Sequence, residues 1–146
     1  MATNIPIENV LPGVRESSGV YTKYPVSVAS AGVAINATAT VTAAQLETGY
    51  ITSTSASAVT LTLPTGTLLG AQLGATVGYT FEFAVDNTAG SNTVTVAVAT
   101  NGILSDAANT TAGSFGQLTI ASGATGIGWF RITFSSATAY VFTRIA

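Results

Sequence analysis

From Gly32 to the C-terminus the chain is a succession of short β-branched runs cut by small-residue turns, the pattern of an all-β domain. Ala58–Leu63 is the cleanest run, with Val59, Leu61 and Leu63 on one face and Pro64 ending it. Tyr79–Asp86 places Tyr79, Phe81, Phe83 and Val85 on one side and Thr80, Glu82, Ala84 and Asp86 on the other. The turn-forming segment Asn87–Asn92 and the run Thr93–Val98 follow, predicting a β-hairpin over 79–98. Further strands are predicted within 33–42, 48–54, 115–121, 127–134 and 139–145. In the penultimate run Phe130, Ile132 and Phe134 share a face and Trp129, Arg131 and Thr133 the other, while the last run carries apolar bulk on both faces. Residues 65–75, with Leu68, Leu69 and Leu73, predict one short helix between sheets, kept short by internal glycines. The expected fold is an antiparallel β-sandwich or jelly-roll-like barrel with at most one short helix.

Composition narrows the chemistry. Thr, Ala, Gly and Ser supply 77 of 146 residues, and only 7% of the chain is charged, so the expected surface is neutral and the core closely packed. Hydrophobic residues at 47% are enough for a folded domain. With no His and no Cys, imidazole bases, thiol nucleophiles, the usual zinc ligand sets and disulfides are excluded. Arg15, Lys23, Arg131 and Arg144 are the only side-chain cations and the net charge is −2, which does not build a phosphate-neutralising patch, so nucleic acid is not an expected partner. The charge-free stretch 48–81 holds Pro64, several Gly and many Thr and Ser, so no membrane span is expected. No secretory leader is read at the N-terminus, which points to synthesis in a cytoplasm.

Residues 1–32 read as an extended N-terminal arm ahead of a single all-β domain at 33–146. Pro6, Pro12 and Pro25 bias Ile5, Leu11 and Tyr24 to extended backbone. The apolar content of this arm, in Ile5, Ile7, Val10, Leu11, Val14, Tyr21 and Tyr24, suits docking on a capsid or a neighbouring subunit better than a purely solvated tail.

Motifs that carry chemistry are weak. Asp86–Asn92 has hard oxygen donors but a single carboxylate, and reads as a turn rather than a calcium loop. Gly123–Gly128 fits neither the dinucleotide fingerprint nor the Walker pattern and reads as a strand-to-strand loop. Glu82 and Asp86, four residues apart on one strand face, stand about 13 Å apart, too far for a retaining glycosidase pair and long for an inverting one. A cross-strand or intersubunit ion pair between Glu82 and Arg131 is the better reading of those charges. The Thr-x-Thr pairs at 38/40, 60/62 and 93/95 lack a constant period, which argues against a solenoid. Asn36–Thr38 and Asn109–Thr111 are chance matches to the glycosylation acceptor pattern. No catalytic residue, metal site or cofactor is expected.

From Leu61 onward the chain resembles the small all-β virion proteins of tailed bacteriophages, the group that includes capsid decoration, or cement, proteins. The resemblance lies in Thr60–Pro64 with the Leu/Ala/Gly segment after it, Val77–Asn87, Thr93–Thr95, Phe130–Phe134, Ser136–Tyr140 and Arg144–Ile145, spread over a span of about 85 of the 146 residues. It implies a non-enzymatic structural protein, typically a homotrimer bound to the major capsid protein on the outside of the assembled head, with no nucleic-acid or membrane partner. Closed symmetry asks each subunit for complementary patches, and Glu82, Trp129, Arg131, Tyr140, Phe142 and Arg144 are the candidate subunit interface. The competing reading is a tail or fibre module recognising host glycans, in which exposed Trp129 and Tyr140 stack on sugars.

Overall fold

The computed structural model describes residues 14–17, 20–23, 32–104 and 118–146, with side chains described over 32–102 and 118–146. The chain divides into two compact units, Met1–Ser30 and Ala31–Ala146. In the first, β1 (Val14–Ser17) and β2 (Val20–Lys23) pair antiparallel, Val14 opposite Lys23 and Ser17 opposite Val20. Val14 and Tyr21 of the predicted arm fall on these strands. Ile5, Ile7, Val10, Leu11 and Tyr24 lie outside the described residues, as do Asn109–Thr111 and the first part of the strand expected over 115–121.

The second unit is sheet-rich, but its sheets are mixed and neither closes, which corrects the expected antiparallel sandwich or barrel. One sheet orders β3 (Val33–Ala34), β5 (Tyr50–Thr52), β7 (Thr80–Asp86), β11 (Ile127–Ser136), β12 (Ala139–Arg144) and β9 (Gly102–Leu104). The other orders β10 (Thr119–Ile120), β8 (Val94–Ala97), β6 (Val59–Thr62) and β4 (Ala39–Thr40). From β3 to β11 successive strands alternate between the sheets. The pairs β3–β5, β5–β7, β4–β6 and β6–β8 are therefore two steps apart in sequence and all run parallel, whereas β7–β11, β11–β12 and β8–β10 run antiparallel.

Two expected elements are corrected by this winding. The run 33–42 is not one strand: Val33–Ala34 and Ala39–Thr40 sit in different sheets. Nor is 79–98 a hairpin, because β7 and β8 belong to opposite sheets and the 87–93 segment crosses between them. The crossing is held by Asn87, fully buried, whose side-chain amide donates to the carbonyls of Asn92 at 2.7 Å and Ala121 at 3.0 Å. Winding also stacks Thr-x-Thr pairs that lack a constant period. Thr40 pairs with Thr62, Thr60 pairs with Thr95 and Thr95 with Thr119, and Thr60 N–H donates to the Thr38 hydroxyl, 22 positions away, at 3.1 Å.

The apolar faces of both sheets enter one core. Val59, Leu61, Val94, Val96 and Ile120 come from the four-stranded sheet, and Ile51, Phe83, Val85, Phe130, Ile132, Phe134, Tyr140 and Phe142 from the six-stranded one. Phe83, Phe130 and Phe142 on adjacent strands stack at centroid separations of 5.4, 5.2 and 6.2 Å.

Two helices occur where at most one was expected. The overlooked α1 (Ala43–Glu47) starts at Thr42–Ala–Ala–Gln45, a capping box: Thr42 Oγ1 accepts from Gln45 N at 3.1 Å and Gln45 Oε1 accepts from Thr42 N at 2.9 Å. The expected α2 (Gly66–Leu73) is capped by Thr65 and ends at Gly74 in the left-handed region, φ +59. Its Gly66 and Gly70, one turn apart, lie against the turn between β11 and β12, where a Cβ on Gly70 would overlap the Ala137 carbonyl oxygen. Gly70→Ala is expected to lower stability by about 1–3 kcal/mol despite alanine's better helix propensity. Urea unfolding of the variant checks this; unchanged stability would mean that α2 shifts freely away from the turn.

Candidate functional site: the outward face of the six-stranded sheet

Strand alternation that buries Phe83, Val85, Phe130 and Ile132 turns the residues between them outward. Register then decides which of these meet. Glu82 lies opposite Arg131, Ala84 opposite Trp129 on one side and Tyr50 on the other, and Asp86 opposite Ile127 and Thr52. The predicted Glu82–Arg131 pair is thus cross-strand within one subunit: the guanidinium donates through Nε at 2.8 Å and Nη2 at 2.6 Å to Glu82 Oε1. Both side chains are largely solvated, so the pair adds little to stability and acts mainly to hold the two charges in place.

One row along the strands, Trp129 is 46% exposed and Tyr50 is 37% exposed, with the buried Ala84 between them in register. Tyr50 Oη donates to Asp86 Oδ2 at 2.5 Å, while Thr88 donates its backbone N–H at 2.8 Å and its hydroxyl at 2.6 Å to Asp86 Oδ1. Hydrogen bonds from the Thr88 hydroxyl, then from Tyr50 and the Thr88 backbone, hold the Asp86 carboxyl below its usual range; the same bond, seen from the phenol, raises the Tyr50 pKa. Gly32 leaves room for the Tyr50 ring, since a Cβ there would collide with it.

Of the six residues expected at a subunit interface, Glu82, Trp129 and Arg131 converge on this face. Tyr140 and Phe142 do not: both are fully buried on the inward side of β12, in the core shared by the two sheets. Tyr140 Oη donates to the Pro64 carbonyl at 2.9 Å, and so it is not available to stack on a ligand. Arg144 is engaged inside the unit, with its guanidinium 5.8 Å from the Phe130 ring centre and Nη1 donating to the Thr119 carbonyl at 3.1 Å, which ties β12 to β10 across the sheets. Its pKa is lowered by burial. Tyr50 is the residue that sequence reasoning missed, because its strand is three residues long and its row partners come from distant strands.

The 86–92 loop does not gather metal ligands. Asp86 points to Tyr50 and Thr88, whereas Asn87 points inward to close the crossing between sheets, with Oδ1 set against Gly90. Gly123–Gly128 links β10 to β11, as expected. No helix among the described residues is long and apolar enough to cross a membrane. Comparison with family models, with curated proteins and with solved structures returns no match for this chain.

Burial desolvates the Tyr140 phenol and pushes its pKa from 10.0 up to about 12. A raised folded-state value favours the neutral phenol, so its stabilising contribution is complete below pH 10 and is lost as pH rises through about 12. Unfolding midpoints are expected to fall across that alkaline window. Tyr140→Phe should reduce the fall while costing about 1 kcal/mol at neutral pH, where the Pro64 carbonyl loses its donor. Denaturant titrations of both proteins at pH 7 and pH 11 decide it; an equal alkaline fall in the variant would clear Tyr140 of the effect.

Proposed function

We propose that the protein is a structural component of a tailed-bacteriophage virion, a decoration or cement protein that binds the outside of the assembled head and stabilises it, acting as a trimer. The observation that carries the reading is where the described polar side chains are engaged. Glu47 accepts from Gln72 at 2.8 Å, Glu82 from Arg131, and Asp86 from Tyr50 and Thr88, so each described carboxylate serves to hold surface and helix geometry. The segments on which the resemblance to small phage virion proteins rests, Thr60–Pro64, Val77–Asn87, Thr93–Thr95, Phe130–Phe134, Ser136–Tyr140 and Arg144–Ile145, fall largely on β6, β7, β8, β11 and β12.

Stabilisation of a shell needs only that the protein bind assembled capsid more tightly than separated capsomers, and that differential free energy multiplies over many sites. A surface poor in charge suits attachment through area and hydrogen bonding, with weak dependence on salt. The apolar N-terminal segment, whose sequence separates from the core unit at about residue 30, is the proposed clamp on the capsid or on a neighbouring subunit.

Copy number relative to the major capsid protein, measured by quantitative mass spectrometry of purified source particles, tests the assignment. A simple ratio, with tens to hundreds of copies per particle, is expected; a handful of copies would move the protein to the tail or a fibre, and absence would overturn a virion role. Removal of residues 2–24 is expected to leave the sheet unit folded and to abolish capsid binding in sedimentation, and retained binding would refute the clamp.

A further inference from the structure

The outward face of the six-stranded sheet alternates ring and hydrogen-bonding group in a way that suits one class of ligand. Tyr50 and Trp129 flank Ala84 in a single cross-strand row, two strand spacings or about 9.5 Å apart at the backbone. The Tyr50 ring is held before any ligand arrives, by its hydroxyl on Asp86 and by the room that Gly32 leaves beside it. Around the two rings stand polar atoms with capacity left over: Asp86 Oδ2 keeps a lone pair beyond its bond to Tyr50, Glu82 Oε2 accepts nothing among the described residues, and the Trp129 indole N–H has no partner among them.

We propose that this face, the exposed rings of Tyr50 and Trp129 with the carboxylates beside them, is a binding site for a neutral oligosaccharide. A sugar ring offers an apolar C–H face that stacks on an aromatic side chain and a rim of hydroxyls that donate to carboxylates and accept from an indole N–H. The local charge argues for a neutral ligand, since Glu82 and Asp86 outnumber Arg131 and would repel phosphates, acidic sugars and anionic lipids. An apolar protein surface laid over the same face would bury the remaining lone pairs of Asp86 and Glu82 without partners, a cost that sugar hydroxyls remove. Capsid attachment is not assumed: the site would serve a head-bound or a tail-bound protein alike.

Trp129 is the only tryptophan in the chain, so its fluorescence reports this face directly. The full-length protein is screened on an array of neutral and acidic oligosaccharides, and the strongest binder is titrated by tryptophan fluorescence and by calorimetry. Saturable binding of a neutral oligosaccharide with a change in Trp129 emission is expected. Trp129→Ala and Tyr50→Ala should each weaken calorimetric binding by at least about tenfold, the loss of one stacked ring, while Tyr50→Phe should weaken it less. Circular dichroism and the unfolding midpoint report whether each variant still folds, and Glu82→Gln offers a second, ring-sparing variant that should also weaken binding. The proposal is overturned by an array with no neutral ligand, by binding that leaves Trp129 emission unchanged, by equal affinity in the folded ring variants, or by a Trp129→Ala protein that loses capsid binding when no sugar binds at all, which would assign the face to a protein partner.

Discussion

Alternation of successive strands between two sheets governs this structure. From β3 to β11 each strand finds its lateral neighbour only after the chain has visited the opposite sheet and returned, so every pairing in the wound part is long-range; only β11 and β12 pair directly in sequence among the described strands of this unit. The crossings are satisfied in a repeated manner. Ile35 N–H donates to Thr52, Ser53 N–H to Asp86 and Asn87 N–H to Gly126, each from a residue just after its strand to the strand or loop beside it. Returns from the four-stranded to the six-stranded sheet after β4 and β6 carry α1 and α2, whereas the return from β8 to β9 is made by a short turn.

The core that this winding encloses depends on close backbone approach at one end and aromatic bulk at the other. Gly66 and Gly70 let α2 settle against the 137–138 turn, and the stacked Phe83, Phe130 and Phe142 fill the space between the longer strands. Tyr140 joins the two regions, its ring edge-on to Phe134 and its hydroxyl on the Pro64 carbonyl that precedes α2. Once the inward residues are committed in this way, the outward residues of the same strands are placed to within a strand spacing. The candidate face is therefore a by-product of core packing rather than of a loop.

Function follows from what such a face and such an N-terminal segment can do. Few charges, no imidazole and no thiol leave contact area, hydrogen bonding and exposed rings as the means of interaction. A decoration protein uses these to bind an assembled shell, and an aromatic face with fixed carboxylates beside it uses them to bind a sugar. The two proposals draw on different parts of the chain, the N-terminal segment for the first and the β5–β7–β11 surface for the second.

Much of this was legible in the residues. Period-two alternation placed Val59 and Leu61 inside β6, Phe83 and Val85 inside β7, and set Phe130 and Ile132 against Trp129 and Arg131 on β11, because a strand that buries one face writes that face into every second residue. Leu68, Leu69 and Leu73 marked α2, and the Thr42–Gln45 capping box was equally readable, though only its reciprocal hydrogen bonds made it stand out in a five-residue helix. Strand order was not legible. Asn87–Asn92 has the composition of a hairpin turn, and a tight turn and a crossing between sheets draw on the same residues; only the position of Ile120 and Ala121, more than thirty residues on, decides which of the two Asn87 serves. For the same reason the local pattern of β12 does not reveal that Tyr140 and Phe142 enter the core, and nothing near Tyr50 in sequence sets it beside Ala84 and Trp129, which the register does. Local sequence determined which residues form strands and which way each faces, since that depends on neighbours two positions away, whereas the tertiary structure alone decided which strands lie side by side, since that depends on contacts the chain makes only after it has crossed its own core.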